Sequence, residues 1–202
     1  MTTPTLDTVD ALAGIVPASP LDELRRQRPV TREQLQASYD ALFTPPNDNA
    51  FPLTRRRLVA AFATRVTADD STAHFYADAA HLADPARATI VLAEASAAAA
   101  TGPFGVYREA GLRGEDTEGR HYEPSAAVRD ALGDALSAAI AHAHLLTFRP
   151  REAGADDHTR LLEAGWTPDG IVTLSQLISF LAFQQRVATG LRALATRQEN
   201  SA

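Results

Sequence analysis

The stretch from Gly165 to Leu194, GWTPDGIVTLSQLISFLAFQQRVATGLRAL, constrains the fold of this chain more than any other. Thr167 is placed to cap free N–H groups, Pro168 fits a first helical turn, and Asp169 lies at the positive end of the dipole. No charge occurs from Gly170 to Gln185. Ile171, Leu174, Ile178, Leu181, Ala188 and Leu191 recur at helical spacing, and Val172, Leu177, Phe180, Phe183 and Val187 cover much of the remaining circumference. A helix apolar nearly all round belongs inside a domain, so the stretch predicts a central core helix. Its polar members, Ser175, Gln176, Ser179, Gln184 and Gln185, then need partners, because an unpaired buried amide costs about 1–3 kcal/mol. A membrane span needs about twenty apolar residues and tolerates glutamine poorly. The uncharged run is shorter than that, so the expectation is a soluble helix and no membrane.

At 202 residues the chain can bury a substantial core in one domain. A net charge of −6 argues against a nonspecific nucleic-acid surface. The run Arg55-Arg56-Arg57 reads as a helix start with one solvated basic side. No N-terminal segment has the basic-then-apolar form of a signal peptide, which makes the cytoplasm the expected location. All 19 basic residues are arginine, and alanine abounds, as in the product of a GC-rich gene. Cysteine is absent, which removes disulfides, thiolate metal sites and thiol nucleophiles together.

In chain order, residues 1–19 carry few large apolar side chains and read as an N-terminal arm, ordered only if it docks on a neighbour. A single helical domain is expected over 20–196, with a tail over 197–202. Leu21 to Arg28 predicts a short helix. Thr31 and Gln34 have capping-box spacing ahead of a helix through Phe43. Further helices are predicted from Thr54 to Val66, from Asp69-Asp70-Ser71 to Ala83, and from Asp84-Pro85 through an alanine-rich run to Gly102. The 101–123 segment holds five of the 11 glycines, and so long a loop is a lid, a binding loop or an assembly arm. One alanine-rich helix is predicted from Pro124-Ser125 to Thr147, and a short one from Ala155 to Ala164 ending at a left-handed Gly165. No run alternates as a strand does, so the fold class is all-α, with about seven to eight helices.

The chain has no G-x-G-x-x-G, no phosphate loop, no G-x-S-x-G elbow and no H-E-x-x-H. No cofactor and no metal is therefore expected. Asp70, His74, Asp78 and His81 span only about 80° of a helical wheel, a stripe that could hold a transition metal or shuttle protons. The apolar residues of that helix lie elsewhere, which favours a solvated face. His142 and His144 diverge by about 200° and cannot share a ligand, so one is expected buried and the other exposed. His121 and His158 have no neighbours that single them out. Trp166, after the Gly165 turn, is expected to close a helix end against Leu161 or Leu162.

The final segment LLEAGWTPDGIVTLSQLISFLAFQQRVATGLRAL, its lead-in LLTFRPREAGADDHTRLLEAG and the run Pro52-Leu53-Thr54-Arg55-Arg56-Arg57-Leu58-Val59-Ala60 resemble the peroxidase-related branch of the AhpD-like, or carboxymuconolactone decarboxylase, superfamily. The likeness covers residues 53–83 and 134–196. It implies an all-α AhpD-like bundle around the C-terminal core helix, and an oligomer of identical subunits. Thiol peroxidases of that group use the pattern E…C-x-x-C-x-x-x-H. In the matching register Arg57 stands at the glutamate, Asp69 and Thr72 at the cysteines, and Tyr76 at the histidine. The thiol cycle is therefore excluded. Asp69, Thr72 and Tyr76 are expected on the inward side of their helix, where the resemblance places a pocket, with His74 as a further weak catalytic candidate. A carboxylate, a hydroxyl and a phenol so placed could bind a polar ligand or move a proton, or simply bond one another. The expectation is an AhpD-like protein of open activity. The alternatives are a non-catalytic partner of a cysteine-bearing relative, and a small-molecule binder or lyase-like enzyme using helix 69–83.

Overall fold

A computed structural model describes residues 7–199 of the chain. Among the described residues there are ten α-helices and no strand. The helices are α1 (Thr8–Ala13), α2 (Pro20–Arg26), α3 (Pro29–Phe43), α4 (Leu53–Arg65), α5 (Ser71–Ala83), α6 (Pro85–Ala98), α7 (Ala126–Leu132), α8 (Asp134–Phe148), α9 (Ala155–Glu163) and α10 (Pro168–Glu199). Short 3-10 turns occupy Ala110–Glu115 and Pro150–Glu152. The all-α expectation holds, but ten helices replace the expected seven to eight. One added helix and one break account for the difference: residues 8–13 form a helix, and Gly133 divides the predicted 124–147 helix into α7 and α8. Gly133 has φ 79° and ψ 159°, a backbone region open essentially to glycine alone.

The centre of the molecule is α4, not the C-terminal helix. α4 packs against α5, α6, α8 and α10, and Leu58 through Thr64 are all buried. Alanines at 60, 61 and 63 let the neighbours approach closely, which a bulkier helix would prevent. The sequence predicts this helix, over 54–66, but the arginines at its start disguise how deeply it is buried. Arg56 is not on a solvated basic side: it is buried, and its guanidinium donates to the carbonyls of Phe51 at 2.8 Å and Leu42 at 2.7 Å. α10 buries Leu174, Leu177, Ile178, Leu181 and Ala188 but leaves Val172 and Phe183 exposed. It is a long amphipathic helix with one uncovered face. Its start follows the sequence reading: Thr167 Oγ1 accepts the Gly170 N–H at 3.1 Å, and Gly165 is left-handed at φ 88°.

α3 begins at Pro29, two residues before the predicted cap, so the Thr31–Gln34 box does not form; proline in the first turn sets the start instead. Residues 7–19 do not await a neighbour. Val9 and Leu12 are buried, α1 packs on α3, α5 and α10, and Arg192 and Ser71 both donate to the Leu12 carbonyl. An ion cluster holds this end, with Arg25 and Arg32 set among Asp7, Asp10 and Asp22. Hydrogen bonds from Arg26 and from the Ala18 N–H keep the Asp22 carboxyl well below the usual carboxylate range. Residues 1–6 of the predicted arm lie outside the described residues. At the other end α10 runs on through the start of the predicted tail, whose residues 200–202 also lie outside them.

The 101–123 segment is a loop pinned at several points. Phe104 N–H donates to the Phe148 carbonyl at 2.6 Å, Gly105 and Thr117 form one antiparallel bridge, and Val106 N–H donates to Glu152 at 3.0 Å. A Cβ on Gly119 would lie 2.1 Å from the Phe104 ring, so only glycine passes there. Its last residues run along α8, where they wall a cavity.

Candidate functional site

The start of α5 decides where the predicted inward residues go. Asp70 is its N-cap, accepting the Ala73 N–H at 3.0 Å. Asp69 therefore precedes the helix and obeys no helical wheel. Its side chain is 57 % exposed, paired with Arg65 and, at 2.7 Å, with Nε2 of the exposed His74. Thr72 and Tyr76 do face inward and are fully buried. The Tyr76 hydroxyl donates to Gln184 Oε1 at 2.6 Å, and burial pushes the phenol well above its ordinary value. Thr72 Oγ1 and Gln184 Nε2 have no partner. The four candidates thus separate into an inner pair, Thr72 and Tyr76, and an outer pair, Asp69 and His74.

The Asp-His stripe separates in the same way. Asp70 turns to α10, accepting from Arg192 at 3.0 Å and Gln185 at 3.2 Å. His81 donates to the Ala77 carbonyl, and Asp78 is exposed. Among the described residues no group of three or more His, Cys, Asp or Glu is arranged to hold a metal ion. Trp166 has the structural role expected of it, with a different partner: its ring meets Phe51 edge-on at 4.8 Å and its Nε1 donates to the Ala135 carbonyl at 2.8 Å.

A cavity of about 330 Å³ lies beside α8, between α9 and the end of the long loop. Its floor is made by α8, whose alanines at 138 and 141 leave room that longer side chains would fill. Both histidines of α8 line it. From His144 through Ala141 to His142 the lining arc covers about 160° of the helix, so the two imidazoles stand at opposite edges of one cavity. The expectation that one is exposed is overturned, since His142 and His144 are 5 % and 1 % exposed. The helix has no outer face here, because the loop covers one flank and α9 the other.

Three residues that line this cavity carry a buried polar atom without a partner. His142 Nε2 stands 3.5 Å from Ser175 Oγ, and its Nδ1 has no partner. His144 bonds the Ala98 carbonyl and leaves Nε2 unpaired. Ser137 Oγ, two turns before His144 on the same edge, is buried and unpaired as well. Burial lowers both imidazoles to about 4, against a weaker upward pull from Asp157 on His142 and from the Ala98 carbonyl on His144. Near neutral pH both rings are uncharged, and His144, which donates to the Ala98 carbonyl, keeps a bare lone pair at Nε2. Such a nitrogen accepts a hydrogen bond, or a proton, from a bound molecule.

Two of the three arginines that line the cavity are paired with carboxylates. Arg149 is buried, with Nε and Nη2 on Glu152 at 2.6 and 2.8 Å and Nη1 on the Gly119 carbonyl at 2.9 Å. Arg160 pairs with Asp157, and Arg129 donates to the Pro124 carbonyl. The Tyr122 ring lies 5.3 Å from His144, its hydroxyl turned away to Glu94 at 2.7 Å. A second, more open hollow runs along α10 between Leu162, Pro168, Val172 and Ser179, with few polar atoms.

The histidines were missed as a site because they were weighed only as a pair that might share one ligand, and Ser137 was not singled out. The run AAIAHAHLL carries the available signal: two histidines in a stretch with no charge on either face point to burial of both. Compared with protein-family models, curated proteins and solved structures, the chain matches none.

Proposed function

We propose that this protein binds a small organic molecule in the cavity beside α8. The observation that carries this reading is the set of three buried polar atoms without partners, Ser137 Oγ, His142 Nδ1 and His144 Nε2, on residues that line one cavity. Buried polar groups are nearly always paired, and a bare one costs about 1–3 kcal/mol. Three such atoms on residues that line a single cavity favour a binding site there. The long loop then belongs to the site, because His121, Tyr122 and Glu123 at its end form one wall.

The AhpD-like relation remains part of the proposal, supported by the residue likeness over 53–83 and 134–196 and compatible with an all-helical chain. Within that relation the protein is a member without thiol chemistry, as the absence of cysteine requires. A homo-oligomer is a second element of the reading. It is favoured by the apolar line of Leu162, Val172 and Phe183 left uncovered on α9 and α10, and native mass spectrometry tests it, together with any retained small mass.

A fragment library holding neutral, anionic and cationic members, screened by protein-observed NMR, tests the binding reading. Hits are expected to move the ring resonances of His142 and His144. They are expected to vanish in Ala141→Phe, which fills the floor, and to persist in Tyr76→Phe, which alters only the buried pair with Gln184. Hits that survive Ala141→Phe would place the site elsewhere.

A further inference from the structure

We infer that the uncovered face of α10 docks antiparallel on the same face of a second copy of this chain. Asp169 of each copy then meets the partner's Arg186, and Phe183 of each enters the hollow beside the partner's Val172. The inference rests on the homo-oligomer element of the reading above and names its interface and symmetry. Asp169, Val172, Gln176, Ser179, Phe183 and Arg186 recur at alternating intervals of three and four residues, the spacing of a seam along which one helix meets another. All six are exposed, while Leu174, Leu177, Ile178 and Leu181 on the other side enter the core. A solvated helix face ordinarily carries charge. This one carries none between Asp169 and Arg186, about 26 Å of helix. It leaves Val172 57 % and Phe183 49 % exposed.

The face is complementary to itself, and its charges fix the direction. Among the described residues the Asp169 carboxylate has no ion-pair partner, and Arg186 donates to the Ala182 carbonyl of its own helix at 3.3 Å without meeting a carboxylate. A parallel pair would set Asp169 on Asp169 and Arg186 on Arg186, like against like. An antiparallel pair sets opposite charges together at both ends. The same twofold axis, passing between Leu177 and Ile178, brings Phe183 opposite Val172 and Gln176 opposite Ser179. Three pairs of unlike residues thus share one midpoint: an ion pair, a ring against an apolar wall, and an amide against a hydroxyl. The apolar wall belongs to the hollow that Leu162, Pro168, Ile171 and Val172 line. Phe183 stands one turn beyond Ser179, which ends that hollow. Each chain therefore carries a projecting ring and, about 16 Å along the same helix, the recess for the partner's ring. A partner of unrelated sequence requires no such symmetry.

Sedimentation velocity at micromolar concentration and low salt tests the interface. The unaltered chain is expected to be a dimer. Asp169→Arg alone places two arginines at each end of the pair, and Arg186→Asp alone places two aspartates there. Each is expected to weaken the dimer roughly tenfold or more. Mixed in equal amounts, these two variants are expected to form a heterodimer at the unaltered affinity, because every end again holds one arginine and one aspartate. Recovery by mixing separates docking from damage to folding. Phe183→Asp is expected to give a monomer whose circular dichroism is unchanged. A dimer that is indifferent to the charge variants or to Phe183→Asp overturns the inference and leaves the oligomer on another face. Single variants that weaken the dimer but do not recover on mixing overturn the antiparallel register. An unaltered chain that stays monomeric overturns both the inference and the oligomer reading, and leaves this face to a partner of another sequence.

Discussion

His142 and His144 are the residues on which the behaviour of this protein with pH turns. Burial holds each at about 4 in the folded chain, whereas an unfolded histidine titrates at about 6.5. Between those values the unfolded state binds protons that the folded state refuses, so stability rises with pH across the window. It is complete above about 6.5 and falls as the pH drops towards about 4. The groups facing His142 are Asp157, His158 and Arg160, and those facing His144 are Arg120, His121 and Arg149 with the Ala98 carbonyl. None reverses the direction. Urea unfolding at stepped pH is expected to show a loss on the order of a few kcal/mol over this range. The slope should flatten in the His142→Gln and His144→Asn double variant. A flat profile in the unaltered protein would mean that the imidazoles titrate as free ones do. The same residues show why pairwise inspection of a helix misleads: side chains that diverge cannot share an ion, yet both can border one cavity.

At the scale of elements, the break between α7 and α8 is set by one residue. Gly133 adopts φ 79° and ψ 159°, and nothing lies within 4 Å of a Cβ placed there. The obstacle to any other residue is backbone strain rather than space. Gly133→Ala is therefore expected to cost about 1–3 kcal/mol, and so to lower the melting temperature by several degrees for a chain of this size. Calorimetry or a thermal melt by circular dichroism checks it. An unchanged melt would show that α7 and α8 can merge into the single helix that their alanine-rich sequence suggests. Near the start of α10, Gly170 presents the opposite case. Its Cβ would lie 2.6 Å from the Ala50 carbonyl, so close packing, not dihedral freedom, selects glycine.

The molecule as a whole is closed at one end by the ion cluster that docks α1. Arg25 is buried between Asp7 and Asp10, and Arg32 bridges Asp10 and Asp22. Removing one partner from such a cluster leaves buried charge unpaired, which costs more than the pair contributes. Arg25→Ala is expected to release α1 from α3, α5 and α10. Hydrogen exchange of residues 8–13 should quicken roughly tenfold or more, while the amides of α4 keep their protection. Equal loss of protection in α4 would mean that α1 and the central helix unfold as one unit. The cavity beside α8 does not depend on this end, so ligand binding should survive the same substitution.

The sequence by itself determined the helical class, most helix boundaries and the absence of thiol chemistry. These follow from local chemistry: apolar spacing, caps such as Asp70 and Thr167, prolines in first turns, the left-handed Gly165, and a residue count. Thr72 and Tyr76 were legible as inward for the same reason, since a wheel is valid once a helix has begun. Asp69 was not, because its position depended on where α5 starts. Only the tertiary structure decided that α4 is the centre, that Arg56 is buried on backbone carbonyls, and that α1 docks on its own chain. It also brought Ser137, His142 and His144 to the edges of one cavity. Burial is a property of what packs against a residue, and the covering elements here, α9 and the 121–124 end of the loop, come from distant or irregular parts of the chain. No pattern within α8 encodes them.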